Sequence, residues 1–348
     1  MMADRSALFA IACSWCAMLS AWAQPFPAFS LRGYFFGDYF YKFSGDTSSL
    51  PTQYAPFARG DNGVQFRRFY FWADARLHPR CSVRFLLEAN ETSLDVGGRY
   101  AMFVREASVT WDSLVLPFLQ LQAGLIPTPT WRLSEQLWGY RSLERMLADI
   151  WNWGDAVDVG LSIRGIVTEG SRTILQATAM VGGGEGVRAE RTPNKKLYGQ
   201  LAFQPLPGLW TELYGDWDPR ATTGSNSLLK AFLGYRRPDL QLGAEVLLRQ
   251  QHHSTVERTS ALGLSLLGGI QLWEAPALTL VLRYDRVAWA SDRHPLHHLG
   301  LVAVEYAPLP SVRIMPNLWL LAHTRRDPQA PRFPTDIVAR LSFFVQYP

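Results

Sequence analysis

The feature that most constrains this chain is an alternation of polarity that recurs from end to end. In residues 240–250, Leu240, Leu242, Ala244, Val246 and Leu248 fall on one face. Gln241, Gly243, Glu245 and Arg249 fall on the other, interrupted by Leu247. In residues 209–218, Leu209, Thr211, Leu213 and Trp217 oppose Glu212, Tyr214, Asp216 and Asp218. In residues 66–77, Phe69, Phe71, Ala73, Ala75 and Leu77 oppose Arg68, Tyr70, Trp72, Asp74 and Arg76. A period of two is the signature of a strand whose faces meet different environments. Sixteen such segments occur: 31–42, 65–77, 82–94, 103–112, 118–126, 155–164, 173–181, 196–204, 209–218, 227–236, 239–250, 258–270, 278–290, 297–307, 311–323 and 336–347. Their length suits a tilted membrane strand.

The connections support the same reading. They tend to alternate long and short: 43–64 then 78–81, 182–195 then 205–208, the tight Arg237-Pro238, and the long 324–335. Long outer loops and short periplasmic turns are the habit of bacterial outer-membrane barrels. Lipid offers no hydrogen bonds, so every backbone group must pair within the protein, and closure removes sheet edges. The expected fold is all-β, a transmembrane antiparallel barrel of about sixteen strands, wide enough to hold an aqueous channel. Aromatics near strand ends are expected to form interfacial girdles: Tyr34, Phe35, Phe36, Tyr39, Phe40 and Tyr41 early, Trp210, Trp273, Trp289 and Trp319 later, then Phe343, Phe344 and Tyr347.

Composition narrows the alternatives. Charged residues are 18% and aromatics 13% of 348 residues, so neither a disordered chain nor an ordinary soluble domain fits well. The formal net charge is +4 without any block of like charge, which argues against nucleic acid as a partner. Residues 1–23 read as a secretory signal, with Arg5 before the apolar run 7–19 and Ala21-Trp22-Ala23 placing cleavage before Gln24. The alternative is a single anchoring helix. Cys13 and Cys16 would leave with the signal, and a mature chain with Cys81 alone forms no internal disulfide. Residues 24–348 are then one barrel domain.

Residues 127–154 break the pattern. Leu133, Leu137, Leu143, Met146, Leu147 and Ile150 lie on a loose helical spacing, and Arg132, Arg141 and Arg145 stand against Glu135, Glu144 and Asp149. A long, charged, aromatic-rich outer loop can fold into the lumen, narrow it and set ion preference. The alternative is a surface lid held by Trp131, Trp138, Trp151 and Trp153. Arg132, Glu135, Arg141, Glu144 and Arg145 are the candidate constriction residues. Arg68, Arg76, Arg84, Glu88 and Glu106 are candidate pore-lining residues, either pairing to hold the wall or steering ions.

"AGLIPTP" at 123–129, "WGYRSLER" at 138–145 and "DVGLSIRG" at 158–165, with "FVREASVTW" at 103–111 and "LRYDR" at 282–286, resemble the phosphate-selective porin O and P family. The resemblance covers much of residues 60–320. It implies a sixteen-stranded, trimeric diffusion channel, with Arg132, Arg141 and Arg145 matching the family's constriction-loop segment. The chain has only Lys42, Lys195, Lys196 and Lys230 as lysines, so a lysine-rich phosphate path is hard to build.

No phosphate-binding loop, dinucleotide fingerprint or Gly-x-Ser-x-Gly elbow occurs. His294, His297 and His298 lack the cysteine or matched carboxylates of a metal site and read as a solvated loop or strand end, as do His252 and His253. Asp216 and Asp218 share a face and read as lining water. The expectation is a non-enzymatic outer-membrane porin without cofactor, passing small hydrophilic solutes or ions, with a mild anion preference permitted. Its expected partners are outer-membrane lipid, the outer-membrane assembly machinery and two further copies of itself. The competing classes are a barrel enzyme of lipase or protease type, and a barrel displaying loops for adhesion or carrying hydrophobic compounds.

Overall fold

A computed structural model describes residues 28–47, 53–114, 116–220, 224–253, 258–274, 277–329 and 332–347. Residues 1–23, read above as a signal, lie outside the described residues. The strands are β1 (Ala28–Ser44), β2 (Asn62–His78), β3 (Cys81–Asn90), β4 (Phe103–Asp112), β5 (Leu119–Pro127), β6 (Val157–Glu169), β7 (Arg172–Gly182) and β8 (Lys196–Leu206). They continue as β9 (Leu209–Arg220), β10 (Gly224–Arg236), β11 (Leu240–His253), β12 (Thr259–Glu274), β13 (Ala277–Trp289), β14 (Leu296–Leu309), β15 (Val312–Thr324) and β16 (Asp336–Tyr347). Each pairs antiparallel with its sequence neighbours, and β1 pairs with β16 from Gly33↔Tyr347 to Ser44↔Ile337, closing the barrel.

Every expected segment coincides with one strand. The third is shorter than expected and stops at Asn90, because Asn90 Oδ1 accepts the backbone N–H groups of Thr92 and Ser93, both at 2.9 Å, and turns the chain. Gly170, between β6 and β7, takes φ +61° and permits one of the tight turns on the short-turn rim. On the other rim β1–β2, β3–β4, β5–β6 and β7–β8 are joined by long segments. Only 221–223 separate β9 from β10, so the long loops concentrate in the first half of the chain.

The outer face is apolar. Leu213, Leu229, Leu242, Leu262, Leu282 and Leu341 all point outward and are about half exposed. Each fully buried leucine gains about 1.5–3 kcal/mol over an exposed one, a gain that such a belt recovers in lipid. Among the described residues no helix is long and apolar enough to cross a membrane, and the strands supply the spanning surface.

The inner face departs from simple alternation in two ways. First, it is not uniformly polar. Leu228, Leu247, Leu267, Val281, Leu299, Met315, Trp319 and Val338 project inward on β10–β16 and are buried in one hydrophobic cluster. Leu247, the apparent interruption in its segment, is fully buried there. Second, two bulges turn an extra residue inward. β1 and β2 slip between Phe36 and Gly37, leaving Arg67 beside Arg68 on the inside. β3 and β4 slip between Leu86 and Leu87, leaving Arg105 beside Glu106. A bulge sets two residues against one and re-aims a side chain.

The aromatic girdle is also redistributed. Phe29, Tyr39, Tyr41, Phe43, Trp217 and Trp273 are exposed on the outer surface. Trp319 instead is fully buried inside, and Trp289 packs against Trp151 and Trp153 within the lumen. Tyr34, Phe36 and Phe40 likewise face inward. Strand-end position alone does not tell lumen from lipid.

Candidate pore constriction

The segment between β5 and β6 enters the barrel and runs its depth. It contains two short helices, α1 (Arg132–Trp138) and α2 (Leu147–Ile150), rather than one continuous helix. Gly139 ends α1 at φ +66°, the left-handed cap that glycine adopts without strain. Thr130 Oγ1 lies 2.9 Å from Tyr214 Oη of β9, and Lys230 Nζ of β10 donates to Ser134 Oγ at 3.2 Å. Arg236, the last residue of β10 at the short-turn rim, donates to the Gln136 carbonyl at 3.0 Å. Nearby, Gln241 of β11 donates to the Trp138 carbonyl, and Arg313 of β15 to that of Gly139 at 3.4 Å.

The chain then climbs back. Arg67 Nη1 donates to the Ser142 carbonyl at 2.8 Å, and Arg283 Nη1 to the Arg145 carbonyl at 2.5 Å. Trp319 Nε1 donates to Glu144 Oε2 at 2.9 Å, and Trp138 Nε1 to the Glu144 carbonyl at 3.2 Å. Gly263 of β12 makes room for the return. A Cβ there would lie 2.8 Å from Leu147 and 3.0 Å from Trp153. Near the long-loop rim Trp151 stacks edge-on to His297 at 4.6 Å, and His297 Nδ1 lies 2.9 Å from His323 Nδ1.

The apolar residues of this segment explain the apolar wall. Trp138, Leu143, Met146, Leu147, Ala148 and Ile150 are buried against the inward side chains of β10–β16. The lumen beside that wall is therefore filled by the segment. On its other side, beside β1–β4 and β16, lies a cavity of about 570 Å³.

The cavity brings together some of the residues singled out in the sequence and leaves others aside. Arg132, Glu135 and Arg141 of the inserted segment line it, as do Arg84 of β3 and Glu106 of β4. Glu144 and Arg145 do not. Glu144 is buried, and Arg145 pairs with Asp149 at 3.6 Å. Arg68 and Glu88 sit behind the lining, paired at 3.5 Å, while Arg76 is exposed near the short-turn rim. Sequence reasoning missed Arg105 and Arg313, which line the cavity, and Arg67, which clamps the segment. Adjacent charges at Arg67-Arg68 and Arg105-Glu106 are the available signal, since two neighbours in a regular strand cannot both avoid lipid.

Most of these charges are paired. Arg84 binds Asp74 at 2.7 Å, Arg105 binds Glu88 at 3.3 Å, and Arg313 binds Glu305 at 3.4 Å. Arg141 bridges Glu135 and Asp149. Arg132 is exposed to the cavity and makes no ion pair among the described residues. Burial alone would push the Glu144 carboxyl up. The surrounding guanidinium groups, Arg67 and Arg145 foremost, overcome it and hold that carboxyl below its ordinary value. Asp149 is likewise held low, burial being outweighed by Arg141 and Arg145. Among the described residues no cluster of three or more His, Cys, Asp or Glu side chains is placed to hold a metal ion.

A closed sixteen-stranded antiparallel barrel with an apolar outer belt and a segment folded into its lumen defines a class, that of the outer-membrane porin fold. The chain is similar to an anion-selective porin from Comamonas acidovorans, with TM-score 0.65 and 12% identity over 92% of this chain and 100% of that one. It is similar to the outer membrane channel DcaP of Acinetobacter baumannii, with TM-score 0.64 and 9% identity over 93% and 99%. It is also similar to a trimer form of OmpT, an outer membrane protein of Vibrio cholerae, with TM-score 0.58 and 10% identity over 92% and 99%. At these identities the likeness is one of fold. No protein-family model and no curated protein matches the sequence.

Proposed function

We propose that this chain is a passive outer-membrane diffusion channel for small hydrophilic solutes and ions, with a mild preference for anions. The observation that carries the reading is the charge on the cavity beside the inserted segment. Five arginines, Arg84, Arg105, Arg132, Arg141 and Arg313, line it against two carboxylates, Glu106 and Glu135. Asp74, Glu88, Asp149 and Glu305 pair with four of the five from behind the lining, so the positive excess is at the cavity surface and is greatest at Arg132. In a confined, water-filled space with low-dielectric walls, such an excess raises the local anion concentration. The work of the protein is positioning charge and excluding size, with no bond made or broken. The segment 127–154 sets the width, with Arg132, Glu135 and Arg141 acting on the permeant ion. Glu144 and Arg145 act one step back, by holding the segment against the wall.

The anion selectivity of the Comamonas acidovorans porin supports the sign of the preference, and the trimer form of OmpT supports assembly as a trimer. The motifs at 123–129, 138–145 and 158–165 favour a place near the phosphate-selective porin O and P family, with arginine as the cation of the path. Residues 1–23 serve as the export signal, and the long-loop rim faces outward. Reversal potential across a potassium chloride gradient, measured on refolded protein in a planar bilayer, tests the reading. Chloride should pass more readily than potassium, and the preference should shrink as salt rises and the screening length falls below about 10 Å. A cation-selective or non-conducting protein would overturn it.

A further inference from the structure

The cavity has an aromatic wall that a purely electrostatic ion path does not require. Tyr34 of β1 lies at its centre. Its ring centroid is 4.9 Å from that of Tyr70, 5.8 Å from Trp72 and 5.4 Å from Phe344. Phe36 continues the patch at 6.2 Å. All five line the same cavity as the loop arginines. Tyr34 and Trp72 are only half-buried and line the cavity, whereas Phe344, also half-buried, carries the Arg313 guanidinium over its ring at 5.1 Å.

The cost of such a surface identifies its use. Apolar rings turned toward water lose the hydrophobic gain that the outer belt recovers in lipid. The inserted segment buries the inward apolar residues of β10–β16, and Phe36 and Tyr70 of this patch are buried too, but Tyr34, Trp72 and Phe344 stay partly exposed on the cavity wall. The same cavity is lined by Arg132, which makes no ion-pair contact among the described residues and feels the charge of Glu106, and by Arg141, whose charge is shared with Glu135 and Asp149. Glu106 and Glu135 face the same space and oppose a ligand that carries several negative charges. The volume, about 570 Å³, lies within the usual range for a small-molecule site.

We infer that the cavity is a binding site for aromatic monocarboxylates on their way through the pore. The flat ring stacks on the Tyr34–Trp72 wall and the carboxylate meets the Arg132 guanidinium. This rests on the porin reading and deepens it. The chemistry excludes a lipid, whose chains exceed the cavity, and disfavours inorganic polyanions, which gain nothing from the rings.

The test is block of chloride current through the refolded full-length channel by benzoate, cyclohexanecarboxylate, acetate and phosphate. Stacking on two rings predicts half-block by benzoate at about tenfold lower concentration than by acetate, with cyclohexanecarboxylate between them. Tyr34→Ala with Trp72→Ala should bring the benzoate-to-acetate ratio close to unity, whereas Arg132→Gln should weaken both acids together. Should the alanine pair not assemble, Tyr34→Leu with Trp72→Leu keeps the bulk and must still lower the ratio. Trp273→Ala, on the exposed end of β12, should leave it unchanged. Equal block by benzoate and acetate in a channel that still prefers chloride would overturn this inference and leave the porin reading standing. Phosphate blocking at lower concentration than benzoate, or a ratio untouched by both aromatic pairs of substitutions, would overturn it as well. Absence of any chloride current would remove the porin reading and this inference with it.

Discussion

Glu144 shows how a single side chain is shared between two jobs. Its carboxylate accepts from Trp319 Nε1 at 2.9 Å and from the Arg145 backbone N–H at 3.0 Å, and the Arg67 and Arg283 guanidiniums face it. The ordinary values for Glu144 and Asp149 are 4.5 and 3.8, and both are held lower while the segment is docked. A carboxyl that is more acidic in the docked state supports docking fully above its ordinary value. That support is lost as the pH falls through the lowered value. Conductance should therefore stay level from pH 7 to about pH 5 and rise below about pH 4 as the segment loosens. Glu144→Gln keeps an acceptor for Trp319 but removes the charge, so it should raise conductance at neutral pH and flatten the acid response. Single-channel recording across this range checks it, and a rise already complete between pH 7 and pH 5, or a fall below pH 4, would contradict it. Removing one member of a buried ion pair costs about 3–5 kcal/mol, enough to shift a docking equilibrium decisively.

At the scale of elements, the inserted segment and the β10–β16 wall are one unit. The wall carries Leu228, Leu247, Val281, Met315 and Trp319 inward, and the segment returns Trp138, Leu143, Met146 and Leu147 to cover them. α1 has seven residues and α2 four, too short for either to hold its shape alone. Their form comes from the carbonyls taken by Arg67, Arg236, Arg283 and Arg313. Replacing residues 132–150 with a short glycine-serine linker should raise single-channel conductance several-fold, because the space the segment fills would be vacated. The barrel should still close, since the β1–β16 pairing does not involve the segment. The opened wall should bind apolar dyes. Unchanged conductance would show that the segment does not limit flow.

For the whole molecule, stability rests on closure and on the outer belt. Every strand pairs on both sides, so no edge is left for detergent or another chain to open. Purified protein should run faster on SDS gels before boiling than after, with a strand-rich circular dichroism spectrum. A mainly helical spectrum, or identical mobility before and after heating, would contradict the barrel. The same gels should show a slower trimer band that boiling abolishes.

The sequence by itself determined the strand count, the positions of nearly all strands, the identity of the lipid face and the one connection that carries the candidate site. Each of these is local. A period of two needs only neighbours along the chain, and lipid punishes every polar residue on the outer face. Arg132, Glu135, Arg141, Arg84 and Glu106 were legible as charges that must face inward. Tertiary structure decided which of them meet. Arg67 and Arg105 reach the lumen through bulges, which depend on register between strands and not on either strand alone. Leu247, Trp289 and Trp319 are apolar yet point inward, because the folded-in segment supplies the partner that water cannot. Glu144 and Arg145 carry the same charges as Glu135 and Arg141, but only the path of the chain between Gly139 and Met146 brings the Glu144 carboxylate to Trp319 and the Arg145 carbonyl to Arg283, and turns Glu135 and Arg141 toward the cavity. Alternation along a strand reports the solvent on each face, and the lumen has two such solvents, water and protein, which only the closed barrel distinguishes.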